Sequence, residues 1–360
     1  METHFQTFSI RRKFIVYLFS LTLPIIFFLT PHYAQAWGMR GHGLICEAAI
    51  HLVKNKELKR LLTSKTTAIT YLCNLPDTYW RELPEGATGA FTHYFEPDIV
   101  SIPIQSIPSS YLALENLAKG KLNLNTKQPV ISVSRELGSS WWRADQFLRL
   151  SLDAAKKATA SGVKTKDDED VYQMWVMMGL MGHFVGDNSQ PFHNTRDYDG
   201  WIENQGGIHH YYENSLVDEL PRDILTSILN SAPTAQSELK LETRESMIEQ
   251  MRALSILSYD DIQTVLQLDP VITKSTTIIE KGMEIRKEAE RKKAEEVINQ
   301  FNKILISHLS RGAVLLAWSW DHIFDVAGRP PVEKDHSFKF PHKFGFIPPD
   351  YTSSNNMLTH

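Results

Sequence analysis

Residues 171–185 are apolar nearly all the way round a helical wheel, and a helix of that kind is stable only when neighbours bury every face. This segment therefore predicts a central helix with others packed around it. Into its end the chain places His183 and, four residues on, Asp187. At that spacing two side chains leave a helix on the same face, one turn apart. Two polar groups in such a setting are costly unless something binds them. Pro191 then ends the helix and lets His193 return towards the same cavity.

The rest of the chain repeats the helical period. Residues 43–54 carry an apolar stripe through Leu44, Ile45, Ala48, Leu52 and Val53. Residues 143–159, 208–220 and 222–229 read the same way, the last two separated by Pro221. A long charged helix over 279–309 is expected to lead into the apolar segment 313–320, with the charged run 284–296 as its solvated face. Nothing alternates with period two for long enough to suggest a sheet. Residues 98–134 are the least regular stretch and suit a lid or surface loop. Prolines after Gly328 make 329–360 an irregular extension. The expected fold class is all-α, with one multi-helix domain over 37–328. Trp141, Trp142, Trp318 and Trp320 are read as core anchors, and His322 as a helix-surface residue.

The first 36 residues read as a signal peptide. Arg11, Arg12 and Lys13 precede an apolar run over 14–29, and Ala34-Gln35-Ala36 supplies a small-residue cleavage site. The run is short for a membrane span, so removal and secretion, or release to a periplasm, are expected. Residues 9–14 also suit a twin-arginine signal, and the export route stays open. Cleavage leaves Trp37 as a free N-terminus five residues before His42. The remaining chain carries 35 basic and 41 acidic residues, a balance that argues mildly against a protein built to coat polyanions. Cys46 and Cys73 are too few for a disulfide-stapled fold; export permits them to pair, and two buried thiols are the alternative.

His209 and Glu213 repeat the four-residue spacing on a helix opened by Gly206-Gly207, although His210, three before Glu213, is also feasible. A carboxylate with His193 and His209 makes a three-ligand metal site with a position left for water or substrate. His93 lies in an expected aromatic-rich loop, where a lone histidine is usually packed. Asp77, after Leu75-Pro76, suits a turn or cap by itself. Serine, cysteine and P-loop patterns for acyl or nucleotide chemistry are absent.

The segment His183-Phe-Val-Gly-Asp187-Asn-Ser-Gln-Pro-Phe-His193 resembles the core motif shared by bacterial zinc-dependent phospholipases C and single-strand-specific zinc nucleases. The resemblance implies a trinuclear zinc site. Asp77, His93, His183 and Asp187 would hold one ion, and His193, His209 and Glu213 a second. A third would lie between His42, a bridging Asp187, and the amino nitrogen and carbonyl oxygen of Trp37. Trp37-Gly38-Met39-Arg40-Gly41-His42 is similar to the nuclease pattern. Glu213 and the 93–98 segment look more like the phospholipase. The implied activity is a phospholipase C that cleaves the glycerol-side phosphodiester with zinc-activated water, Asp77 serving as ligand and base. The alternative is a single-strand nuclease or 3′-nucleotidase, with Tyr94, Phe95 or Trp201 stacking a base. A non-enzymatic metal-binding protein is the third reading. Expected partners are phospholipid headgroups at a membrane surface, or single-stranded nucleic acid, for a monomer with no obligate protein partner. Thr78 and Ala90 stand where choline-selective relatives carry aromatics, so the headgroup stays open.

Overall fold

A computed structural model describes residues 37–100, 102–119, 136–161, 169–241, 246–332 and 344–352. Ten helices carry the architecture: α1 (Met39–Leu52), α2 (Lys56–Ser64), α3 (Thr66–Asn74), α4 (Tyr111–Lys119), α5 (Ser140–Ser161), α6 (Glu169–Ser189), α7 (Ile224–Leu239), α8 (Met247–Asp260), α9 (Ile262–Leu268) and α10 (Ala294–Val326). The protein is predominantly helical, as the periodicity predicts. α6 is the hub, packed by α1, α3, α5, α8 and α10, and from Met174 to Ser189 every one of its residues is buried. The all-apolar wheel is thus satisfied from all sides. Trp37, Trp141, Trp175 and Trp320 fill the core, and Trp142 is almost as deeply buried. Trp318 is only half-buried and stacks on His322, their ring centroids 5.1 Å apart.

Local chemistry sets several boundaries. Asn55 caps α2 by accepting from the backbone N–H groups of Glu57 and Leu58. Ser246 does the same for α8 through the N–H of Glu249. A disulfide joins Cys46 of α1 to Cys73 of α3, and α6 passes directly over it at Gly182. A Cβ on Gly182 would stand 2.7 Å from the Cys73 sulfur and closer still to that of Cys46.

The largest departure from expectation is at 271–291, where the long charged helix does not begin. Strands β1 (Val271–Thr273), β2 (Thr276–Glu280), β3 (Met283–Lys287) and β4 (Glu290–Arg291) form an antiparallel hairpin instead, and α10 starts only at Ala294, running through 313–320 to Val326. The hairpin turns on Lys281 and Gly282, with φ of 53° and 79°, the paired left-handed conformations of a two-residue hairpin turn. β-branched Thr276, Thr277, Ile278 and Ile279 favour the strand before it. The charged run 284–296 is accordingly strand, connection and helix start rather than one helix face.

Smaller corrections follow the same pattern. α7 continues past 229, through Pro233, to Leu239. Within 98–134 the chain forms α4 rather than only loop, while residues 120–135 lie outside those described. The expectations for residues 1–36 also lie outside them. The extension beyond 328 is irregular where described, yet 344–350 packs on α5. There Arg143 donates to the Ile347 carbonyl, Gln146 donates to that of Pro348, and the Trp80 indole donates to that of Phe344. No helix among the described residues is long and apolar enough to cross a membrane.

Candidate metal centre

Eight side chains from six parts of the chain converge under the end of α6. His42 comes from α1, Asp77 from the turn after α3, and His93 from just after the short 3-10 turn Ala90–Thr92. His183 and Asp187 lie on the last turns of α6. His193 lies in the 3-10 turn Pro191–Asn194, where Pro191 has redirected the chain. His209 and Glu213 belong to a helical run over 208–218 that opens on Gly207, at φ 89°, and includes the π-helical turn Tyr211–Ser215. Single π-turns of this kind recur at functional sites because they re-aim side chains.

These residues form three groups able to hold a metal ion: His42, His183 and Asp187; Asp77, His93 and His183; and His193, His209 and Glu213. All eight are buried. His183 is common to the first two groups, and the Asp187 carboxylate lies between their members. Its Oδ1 lies 3.3 Å from His42 Nε2, while its Oδ2 lies 3.3 Å from His183 Nε2 and 3.2 Å from His93 Nδ1. Ligand atoms on a tetrahedral zinc-sized ion stand about 3.3 Å apart, as metal bonds of about 2.0–2.1 Å require. Neither Asp187 oxygen receives a hydrogen bond from the protein, an unfavourable state for a buried carboxylate. A cation facing each oxygen would resolve it.

The tautomers give a second test of fit. His183 Nδ1 lies 2.7 Å from the Cys73 carbonyl, His193 Nδ1 2.7 Å from the His93 carbonyl, and His209 Nδ1 2.9 Å from the Tyr198 carbonyl. A carbonyl only accepts, so each Nδ1 carries the proton and each neutral ring presents a bare Nε2 lone pair. The bare Nε2 atoms of His193 and His209 face each other at 3.1 Å. Two lone pairs at that distance repel, whereas a cation between them and Glu213 Oε2, 2.7 Å from His209 Nε2, would bind all three. Carbonyls that orient imidazoles in this way are a recurrent outer layer of metal sites. Glu213 is itself oriented by Gln190 and Asn214, each donating at 3.2 Å.

Burial dominates the electrostatics. It pushes His93 and His183 well below the ordinary imidazole pKa, helped by Arg81 at His93 and by His42 at His183. His193 is lowered and His209 falls to about 4 for the same reason. Burial raises Glu213, and it raises Asp187 well above the carboxylate range with help from Asp77. Asp77 rises to about 7, burial outweighing the opposing pull of Arg81. Burial thus disfavours charge of either sign on these side chains, while a divalent ion would hold the carboxylates ionised and the imidazoles neutral.

Trp37 is buried beside this array. Its indole donates to Ser189 at 2.9 Å, and its carbonyl accepts from the His42 N–H at 3.3 Å. That is one helical turn from the candidate ligand His42. His210 is exposed and beside Asn214, and it is His209 that stands with His193 and Glu213. No sequence motif marks Arg81. Its guanidinium lies 2.6 Å from Asp77 and its side chain is 24 % exposed, so it forms part of the rim of the centre. The spacing of four from Asp77 is the only hint of this in the chain. A cleft of about 640 Å³ between α1, α7 and α10 contains none of these residues.

No protein-family model matches the chain, and no curated protein matches it.

Proposed function

We propose that this protein is an exported, zinc-dependent phosphoric diester hydrolase of the phospholipase C type, using three zinc ions. The observation that carries the reading is Asp187, whose two unbonded oxygens face separate groups of imidazoles as a carboxylate bridging two ions would. A protein that merely stores one ion needs no such bridge. Zinc in these positions would supply Lewis-acid charge for the phosphate oxygens and acidify water at neutral pH. The nine residues would divide as Asp77, His93, His183 and Asp187; His193, His209 and Glu213; and Trp37, His42 and the shared Asp187.

The chain's own groups then have defined tasks. Asp77, paired with the rim residue Arg81, would orient water and accept its proton. The partly exposed Arg81 offers a fixed positive charge to a phosphodiester anion entering there. The carbonyls of Cys73, His93 and Tyr198 keep three imidazoles in the ligating tautomer. Phospholipid is favoured over nucleic acid because Glu213 and the 93–98 segment follow the phospholipase pattern. The Trp201 ring, moreover, already carries Arg286 over it, 5.1 Å from the centroid.

The test is release of water-soluble phosphate ester from phosphatidylcholine and phosphatidylglycerol vesicles by zinc-loaded protein beginning at Trp37. Release abolished by a chelator and restored by zinc is expected, and the lipid that reacts reports the headgroup. No release from either lipid, with cleavage of single-stranded RNA or DNA, would replace the substrate and keep the metal chemistry.

A further inference from the structure

The 271–291 hairpin is tied at its base and bare at its tip. Ser275 N–H donates to the Asn204 carbonyl and Ala289 N–H to that of Gly206, both at 3.0 Å. Arg291 donates to the Gly206 carbonyl at 3.0 Å and pairs with Asp269 at 2.8 Å. The loop that receives these bonds leads through Gly207 into His209, and its Tyr198 carbonyl fixes the His209 ring. The hairpin is therefore anchored a few residues from a metal ligand.

Beyond that base, every residue of β2 and β3 is exposed. Ile278 pairs across from Ile285, and Met283 from Glu280, so these three apolar side chains share one face by strand alternation. Ile279 lies on the other. Their exposures are 54 % for Ile278, 41 % for Ile285, 64 % for Met283 and 70 % for Ile279. On the neighbouring loop Ile202 is 64 % and Tyr198 45 % exposed. An isolated two-stranded hairpin is marginal in water, and beyond the Ile278–Ile285 cross-strand pair its aliphatic groups stay largely in water after folding.

We propose that this hairpin is a lipid-docking element that seats the protein on an anionic membrane surface, bringing the His209 side of the metal centre to the headgroups. A protein partner on one face would leave the other bare, whereas the acyl–headgroup boundary surrounds a projecting tip on both faces. The charge agrees. Of the seven basic residues in 271–293, Arg286, Arg291 and Lys293 are paired with Glu284, Asp269 and Glu295. Exposed Lys274, Lys281, Lys287 and Lys292 face solvent along the hairpin, where cations are drawn to anionic lipid. Glu280 and Glu284 keep the tip at headgroup depth rather than in the hydrocarbon. This role rests on the phospholipid reading of the metal centre, since a nuclease has no use for a lipid anchor.

The experiment separates docking from catalysis by using EDTA-treated protein beginning at Trp37. Vesicles of phosphatidylcholine and phosphatidylglycerol in equal amounts are sedimented with the wild type and with Ile278→Ser/Ile279→Ser/Met283→Ser. All three positions are solvent-exposed, so the unfolding temperature should not change. Wild-type protein should sediment with the vesicles and the triple variant should bind about a hundredfold more weakly, as the loss of three aliphatic contacts implies. Lys281→Glu/Lys287→Glu should weaken binding roughly tenfold or more at low salt. Wild-type protein that stays in solution overturns the proposal, as does a triple variant that binds equally well. A triple variant that changes only self-association overturns it in favour of a contact between copies. A water-soluble aryl phosphodiester, assayed with zinc, distinguishes the two readings. Vesicle binding without any hydrolysis would count against the phospholipase reading alone, and hydrolysis without vesicle binding against the hairpin alone.

Discussion

Asp187→Asn should have opposite consequences in the metal-free and metal-loaded protein. The amide has the shape of the carboxyl group and lacks its charge. In the metal-free protein, burial and the neighbouring Asp77 disfavour the charged form of Asp187, and the amide removes that charge. The stability of the EDTA-treated protein should be unchanged or slightly higher. With zinc the balance reverses, because Asp187 faces two groups of ligands, through Oδ1 at His42 and Oδ2 at His93 and His183. An ion at a hundred times its Kd stabilises the native state by about 2.7 kcal/mol. A hundredfold loss of affinity reduces that to about 0.4 kcal/mol, costing roughly 2.3 kcal/mol for each of two ions. For a chain of this size the zinc-induced rise in Tm should shrink by about 5–10 °C. Metal content should fall towards the single ion held by His193, His209 and Glu213. Calorimetric scans with zinc and with EDTA, alongside elemental analysis, measure both quantities. A variant with full zinc content and an undiminished zinc-induced rise in Tm would refute the bridging role.

Other perturbations give sharper local readouts. His209→Ala should remove one ion and leave those facing Asp187, while His210→Ala, at an exposed position, should keep full metal content by the same elemental analysis. Replacing Cys46 and Cys73 by Ser opens a loop with a sequence separation of 27. It should cost about 3.5 kcal/mol in denaturant melts, by the chain-entropy relation. Gly182→Ala would press a methyl group onto that disulfide and should cost about 1–3 kcal/mol by the same melts, the usual range for overpacking. At Asp261, burial raises the pKa but His308 and Arg311 outweigh it and hold the carboxyl at about 2, against 3.8 unperturbed. A depressed carboxyl contributes its stability above the unperturbed value, and the contribution is lost as pH falls from about 4 towards 2. Asp261→Asn should therefore flatten the acid limb of the unfolding curve in that window; an unchanged limb would refute the assignment.

Much of this protein could be read from periodicity alone. A helix apolar all round must be surrounded, and α6 is. His183 with Asp187, and His209 with Glu213, are local pairs at one-turn spacing, so the backbone period places each pair together whatever the rest of the chain does. Pro191 ends α6 by its missing N–H and its ring, which returned His193 towards the centre. Asp77, His93, His42 and Trp37 are different. Nothing local marks them as ligands, and the motif resemblance alone pointed to them. Their meeting with α6 depends on packing among α1, α3 and α6, on the disulfide, and on carbonyls from Cys73 and His93 that no spacing encodes. Arg81 carries no local signal because its role comes from its place at the rim. The hairpin was missed because charged residues diluted its alternation, leaving Lys281-Gly282 as the only sharp signal. Its strands are set by a turn with two positive φ angles and by anchoring to 204–206, contacts across about seventy residues of chain. Local periodicity is an intrinsic property of the chain, but which distant groups share a cavity is decided only when burial forces them together.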